Sequence, residues 1–410
     1  MRQFLDRAFL AEKIVNHYFF IALGVYFITM LNMSFRPGVA MSVVLGLIVI
    51  LVFHRQMRFC LTDFLVCLYI LYNLLSFFWI SLPGFSFLKF SQEVITSVFP
   101  VFLYFGMSYA DRDSIYFDIV VSVLLCVVIG VVLYITLPQF YMDYAFFEGF
   151  TARNSAFHVR QGLSSYIGRI PLGTYVVVAA AICLNDYMKR ERIASLCLMI
   201  LFFCASILTA QRSSWFGCAM LLIVLLWHMV KTIRLKFIIG LFVGVFVAMI
   251  AYSNSFSGFN FFDNEVMGGS QVTRKSINVF DALDERFTSW SNLMNNTNII
   301  IGRGLGTGGH RARSISRFDT VTDGNYMKML GETGIFGLSL FFLATLSALA
   351  KLKQKKDNGV VIFIIVFILL QCFGSNIIAL QITAPLYWMS LGFFKIRDDG
   401  RKIVCVEKKI

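Results

Sequence analysis

The sequence predicts an all-α fold, a polytopic integral membrane helical bundle of about twelve spanning helices, and three observations carry that expectation. The first is composition: of 410 residues 58% are hydrophobic and 16% aromatic, only 14% are charged, and the mean hydropathy is +0.75. Soluble chains carry about a quarter charged residues. A soluble enzyme, a disordered chain and a disulfide-built secreted domain are excluded on that ground. The second is the recurrence of apolar runs near ~20 residues, the length at which a helix crosses a hydrocarbon core of about 30 Å. The third is the placing of the 36 Lys and Arg residues, which fall in short clusters between the apolar runs.

The runs place spans near residues 15–33, 38–53, 61–80, 93–110, 116–137, 171–186, 193–210, 214–230, 237–252, 333–350, 359–375 and 384–394. The last is short enough to be tilted or partly re-entrant. Residues 1–410 are thus expected to form a single transmembrane domain. Arg2, Asp6, Arg7, Glu12 and Lys13 precede the first run, and no small-residue cleavage site follows it, so it reads as an uncleaved span. With the N-terminus in the cytoplasm, alternate connections carry Arg55 with Arg58, Arg112, Lys189 with Arg190 and Arg192, Lys231 with Arg234 and Lys236, Lys351 to Lys356, and a tail from Lys395 to Lys409. That is the positive-inside pattern, and it makes both termini cytoplasmic. Two long connections, 138–170 and 253–332, then face the outer side of the membrane. The net charge of +13 follows from this topology and gives no reason to expect nucleic acid. Nine cysteines are scattered without a C-x-x-C pair, so no disulfide or zinc framework is expected. Glu93, Asp63 and Asp118 lie near predicted span ends, and no basic residue is expected at mid-membrane depth.

Function is sought in the two long connections and the short outer turns. Lys89, Lys275 and Lys328 are the lysines of that side, where arginine otherwise dominates. Orientation alone does not require arginine, whereas a planar guanidinium grips phosphate oxygens with two parallel hydrogen bonds, so the bias points to a diphosphate. The alternative is pairing with Asp281, Asp284, Glu285 and Asp319 in the same connection. Arg153, His158, Arg160 and Arg169 share one stretch beside Tyr141, Tyr144, Phe146, Phe147 and Phe150. Those rings suit sugar stacking or an ordinary interfacial belt. Arg212, in the tight turn Leu208-Thr-Ala-Gln-Arg-Ser-Ser-Trp215, is held at the membrane surface, either for a lipid-linked diphosphate or as a residue snorkelling to headgroups.

Further on, Arg286 and Trp290 precede Gly302-Arg303-Gly304-Leu-Gly306-Thr-Gly308-Gly309-His310. The glycines suit a backbone anion nest or a flexible turn, without the Lys of a Walker loop. Thr322-Asp323-Gly324-Asn325-Tyr326 then leads through Glu332-Thr-Gly334-Ile-Phe-Gly337-Leu into the next span, with Asp323 and Asn325 at the electropositive helix end. Capping alone would also explain an Asp there.

Taken in order, Leu-Thr-Ala-Gln-Arg-Ser-Ser-Trp, the Arg286-x-x-x-Trp290 element, the glycine run, Asn325-Tyr326 and Glu-Thr-Gly-Ile-Phe-Gly-Leu resemble the superfamily of O-antigen polymerases (Wzy) and O-antigen ligases (WaaL). The topology of the whole chain fits, while the specific motifs lie near 208–217 and 286–338. The resemblance implies a GT-C-like, inner-membrane glycosyltransferase that works at the periplasmic face on undecaprenyl-diphosphate-linked oligosaccharide, with membrane lipid around it, without cofactor or metal, and with a chain-length regulator protein as a partner. Ligases of the superfamily usually carry a His just before the Asn at the start of the helix after the long loop. Here Asp323-Gly324-Asn325 stands in that place, which looks more like a polymerase.

The reading assigns Arg212 and Arg286 to the developing charge on the diphosphate, and Asp323, with His310 second, to the acceptor hydroxyl. Arg153, Arg160, Arg169, Arg303, Asn325, Tyr326 and Trp290 are the expected substrate-binding residues. The alternatives are a ligase, which transfers the glycan to lipid A-core, and a lipid-linked oligosaccharide flippase. Against the flippase stand the lack of an obvious inverted repeat and of paired broken helices.

Overall fold

The computed structural model describes residues 10, 12–31, 59–80, 82–136, 163, 165–209, 211–229, 279–295, 297–309, 312, 324–354, 358–380 and 382–396. The expected spans at 38–53 and 237–252, and most of both long connections, lie outside the described residues. What is described is a helical bundle. Its α-helices are α1 (Tyr18–Leu31), α2 (Leu61–Leu75), α3 (Phe87–Glu93), α4 (Phe102–Gly106), α5 (Arg112–Thr136) and α6 (Arg169–Arg190). They continue as α7 (Ile193–Leu208), α8 (Arg212–Met229), α9 (Val279–Asn295), α10 (Asn325–Gln354), α11 (Gly359–Gln371) and α12 (Thr383–Gly392). Among the described residues four helices are long and apolar enough to cross a membrane: Leu61–Trp79, Arg112–Leu133, Arg169–Arg190 and Asn325–Gln354.

Helix α6 is the axis of the bundle. Its apolar window is 78% buried, against 33% for that of α10, and α5, α7, α8 and α11 all pack on it. The small residues of its Val176-Val-Val-Ala-Ala-Ala181 run allow those neighbours to approach closely. Pro171 falls in its first turn, where no intrahelical donor is lost. Lys189 and Arg190 occupy its last turn, where cations meet the negative end of the helix dipole.

Among the described residues, four of the basic side chains expected in the cytoplasm, Arg112, Arg190, Lys351 and Lys395, lie at one end of the bundle. Arg190 pairs with Asp113 at 3.5 Å, Arg112 donates to Asn358 Oδ1 at 2.9 Å, and Lys351 lies 4.9 Å from the Phe394 ring. At the same end Lys395 pairs with Asp63, whose carboxylate also accepts from the Tyr104 hydroxyl at 2.7 Å and from Cys60 N–H.

The chain departs from straight spans in three places. The span expected at 93–110 begins earlier, at Phe87, and is broken: a π-helical stretch (Val94–Val98) and 3-10 turns around Pro100 connect α3 to α4. The short last span, α12, follows a 3-10 turn (Ile377–Ala379), and every one of its residues from Thr383 to Gly392 is buried.

The third departure is the largest. The sequence predicts that α10 runs from the loop straight into the membrane, yet Gly334 inside it has φ 65° and ψ −169°, which no helix contains. Tyr326 and Phe342 are sixteen residues apart, a separation of about 24 Å on a straight helix, but their rings lie 5.3 Å apart. The chain therefore folds back at Gly334, and Asn325–Thr333 forms a short arm beside the longer arm that follows. The cause is local: only glycine adopts this backbone region without strain.

Candidate active site

At the end of the bundle opposite the Lys395–Asp63 pair, Arg169 opens α6 and Arg212 opens α8. Arg169 is half-buried and Arg212 exposed. Between them lies the buried Gln211, whose amide, oriented to satisfy its neighbours, donates to Arg169 O at 3.2 Å, Ile170 O at 3.1 Å and Ser214 Oγ at 2.9 Å. Its oxygen accepts from Ser213 Oγ at 2.8 Å. Gly173 permits this contact, because a Cβ there would lie 2.0 Å from the end of the Gln211 amide that faces Ser214 and 2.2 Å from Ser214 Oγ.

The network continues to α11. Gln371 Nε2 donates to Ser213 Oγ at 3.1 Å, and Thr174 Oγ1 donates to Gln371 Oε1 at 3.0 Å. One residue on, the Cys372 carbonyl accepts from Asn325 N–H at 2.8 Å, and Leu369 O accepts from the Tyr326 hydroxyl at 2.7 Å. The start of α6 at Arg169, the turn around Arg212 and the start of α10 at Asn325 are far apart in sequence, yet hydrogen bonds through Gln211, Ser213 and the end of α11 bring them to one place.

The glycine run has a role that neither expectation described. It docks against the fold of α10 backbone to backbone: Ile335 N–H donates to Ile299 O, Phe336 N–H to Ile300 O, Arg303 N–H to Gly331 O and Gly304 N–H to Glu332 O. A Cβ on Gly302 would fall 2.3 Å from Glu332 O, and one on Gly334 would fall 2.2 Å from Ile300 O, so both positions need a bare Cα. The run does form an anion nest, but the anion is the chain's own: the Glu332 carboxylate accepts from Gly308 N–H at 3.2 Å and from Gly306. Arg303 is carried into this packing and is buried, 6% exposed.

Beside the nest is a charged cluster that sequence reasoning missed. Lys328 Nζ lies 2.5 Å from Glu93 Oε1 and 3.7 Å from Glu332 Oε1, with all three side chains buried. Ser97 Oγ donates to Glu93 Oε1 at 2.8 Å. Lys328, expected in a watery place with the other basic residues of the outer side, is instead enclosed by protein. The cluster borders a small cleft between the short arm of α10, α2 and the 3-10 turn Ile377–Ala379. The i,i+4 spacing of Lys328 and Glu332, with Glu93 inside an apolar run, was the available signal.

Helix α9 covers the short arm, its Trp290 ring against Gly324 and its Leu293 side chain against Gly331. Arg286 lies in α9, one turn before Trp290. Arg153, His158, Arg160, His310 and Asp323 lie outside the described residues.

Residues 197–342 match the family model described as O-Antigen ligase. No curated protein and no solved structure matches the chain. The matched segment holds the Arg212 turn, α9, the glycine run and the fold of α10, the elements that build this end of the bundle. Over that segment the chain is similar to the superfamily of O-antigen polymerases and O-antigen ligases.

Proposed function

We propose that this protein is an O-antigen polymerase of the bacterial inner membrane, joining undecaprenyl-diphosphate-linked repeat units by glycosyl transfer at the periplasmic face. The observation that supports the reading most is the tie between Arg169, Arg212 and Asn325 through Gln211, Ser213 and Gln371. Polymerase is preferred over ligase because Asp323-Gly324-Asn325 lacks the His that ligases of the superfamily usually carry before that Asn. The description of the matching family favours the second reading, transfer of finished glycan to lipid A-core.

In the proposed step, the bond between the anomeric carbon of the growing glycan and its phosphate oxygen breaks. Its electron pair leaves with undecaprenyl diphosphate. A hydroxyl on the terminal sugar of a second lipid-linked repeat forms the new bond, and its proton passes to Asp323, with His310 as the second choice. Arg212 and Arg286 stabilise the charge on the leaving diphosphate, and Arg153, Arg160 and Arg169 hold it, while Arg303, buried in the packing of the glycine run, does not reach it. Asn325, Tyr326 and Trp290 position the sugars. In this reading both termini are cytoplasmic, 138–170 and 253–332 are periplasmic, and a chain-length regulator protein is the partner.

Lipopolysaccharide from a deletion strain, resolved on a gel beside an assay of lipid-linked glycan, tests the proposal. A polymerase leaves core with at most one repeat, and the gene restores the ladder. Naked core with accumulated lipid-linked polymer would establish the ligase instead, naked core without that polymer would indicate the flippase, and an unchanged ladder would refute all three for this glycan. If Asp323→Asn at normal protein level still gives long chains, Asp323 does not take the proton.

A further inference from the structure

Between α9 and the glycine run the chain sets three isoleucines in a row, Ile299, Ile300 and Ile301, in a turn outside any helix, with side chains 40%, 57% and 37% exposed. The sequence places them in a long connection outside the membrane, where three consecutive apolar side chains would face water, a pattern soluble surfaces avoid. The fold-back adds Ile335 and Phe336, both exposed, to the same patch, because their N–H groups donate to Ile299 O and Ile300 O. The third carbonyl of the row, Ile301 O, accepts from the Tyr72 hydroxyl at 3.2 Å and from Trp79 Nε1 at 3.3 Å. The side chains of this turn thus point outward while its three carbonyls are bonded within the protein. A loop immersed in water has no need of that arrangement, and one in contact with lipid does.

We infer that Ile299–Ile301, with Ile335 and Phe336, is a membrane-contact surface, seated where the headgroups of the phospholipid bilayer meet its acyl chains. The depth follows from the helix that holds the row. Leu61–Trp79 is long and apolar enough to span, and its 19 residues extend about 28 Å, close to a hydrocarbon thickness of about 30 Å. Trp79 closes that span and Tyr72 lies about two turns before it, and both hold the Ile301 carbonyl, so the row lies no further out than the end of the span. Trp and Tyr are the side chains enriched at that boundary. The patch is also continuous with a lipid-facing stripe: Ile335, Ser339, Phe342 and Leu346 are exposed at helical spacing along the long arm of α10, itself part of a candidate span. Contact with lipid at the row would hold the fold of α10, and with it the short arm, at the membrane surface. None of these residues takes part in the proposed transfer step, so the inference does not depend on it.

The test places photo-reactive p-benzoylphenylalanine in the full-length protein in place of Ile300, Phe336, Leu346 or Glu191 in turn, irradiates isolated bacterial membranes, and weighs the purified protein by mass spectrometry. Leu346, on the exposed stripe of α10, calibrates contact with lipid, and Glu191, exposed in the turn between α6 and α7, calibrates contact with water. Phe336 is the conservative position, where one aromatic side chain takes the place of another. Protein labelled at Ile300 or Phe336 is expected to gain the mass of a phospholipid in a yield comparable to that at Leu346 and about fivefold or more above that at Glu191. Yields no higher than at Glu191 would overturn the inference. A crosslinked dimer in place of the lipid adduct would overturn it in favour of a second copy of this chain, and an adduct of polyprenyl mass in place of phospholipid would overturn it in favour of the lipid carrier.

Discussion

Gly334→Ala separates a true fold in α10 from an ordinary bent helix. The backbone at Gly334, φ 65° and ψ −169°, is a region that a side chain enters at a strain of about 1–3 kcal/mol. The added Cβ would stand 2.2 Å from Ile300 O, 2.5 Å from Ile300 C and 2.7 Å from Gly302 N, all backbone atoms with no rotamer to change. Relief requires the glycine run to move away, which breaks the hydrogen bonds from Ile335 N–H to Ile299 O and from Phe336 N–H to Ile300 O, about 1 kcal/mol each. The expected destabilisation is about 3–5 kcal/mol. Gly24 and Gly359 are internal controls, since a Cβ at either meets nothing within 4 Å, and Ala there is expected to be neutral or slightly stabilising. The assay is the fraction of detergent-solubilised protein that stays monodisperse by size exclusion after graded heating, read beside the lipopolysaccharide ladder. If Gly334→Ala matches Gly24→Ala in both, the fold-back is not what holds the glycine run, and the reasoning fails.

Three more outcomes are expected. Lys328→Met leaves two buried carboxylates facing each other and destabilises by about 3–5 kcal/mol, while combining it with Glu93→Gln and Glu332→Gln recovers most of that loss in the same heating assay. Gly173→Ala drives Gln211 and Ser214 out of place, so the ladder shortens sharply, by up to about a hundredfold in polymerisation rate, while membrane protein level stays near normal. Arg212→Lys keeps the charge and loses the guanidinium fork, so polymerisation falls by about a hundredfold; near wild-type chains in that variant would count against bidentate binding.

The helices were legible because they depend on composition averaged over many residues. The apolar runs at 61–80, 171–186 and 193–210 correspond to helices Leu61–Leu75, Arg169–Arg190 and Ile193–Leu208. The Arg212 turn was also legible, because a short polar interruption between two apolar runs has few ways to close. The fold of α10 was not, because it depends on one residue, and Gly334 stands in an apolar context that reads as continuous helix. Nor was the glycine run, whose partner is a backbone thirty residues further on rather than a ligand; local sequence gives the φ freedom and not what approaches. Lys328 was misplaced for the same reason. On a straight helix it lies at the aqueous end of a span, and the reversal at Gly334 carries it instead beside Glu93.

The two chemistries at this end of the bundle bear on how transfer would proceed. An anion nest that Glu332 already fills leaves the glycine backbone no part in holding diphosphate, so in the proposed reaction that task falls on guanidinium groups alone. The arginine side and the carboxylate side meet at the short arm of α10, which begins at Asn325 beside the Cys372 carbonyl and reaches Lys328 and Glu332 within two turns. The outer end of that arm is fixed by Gly334 and its flank by Gly331 against Leu293. The arm is thus positioned by packing that leaves little freedom, which is what a reaction driven by positioning and fixed charge requires.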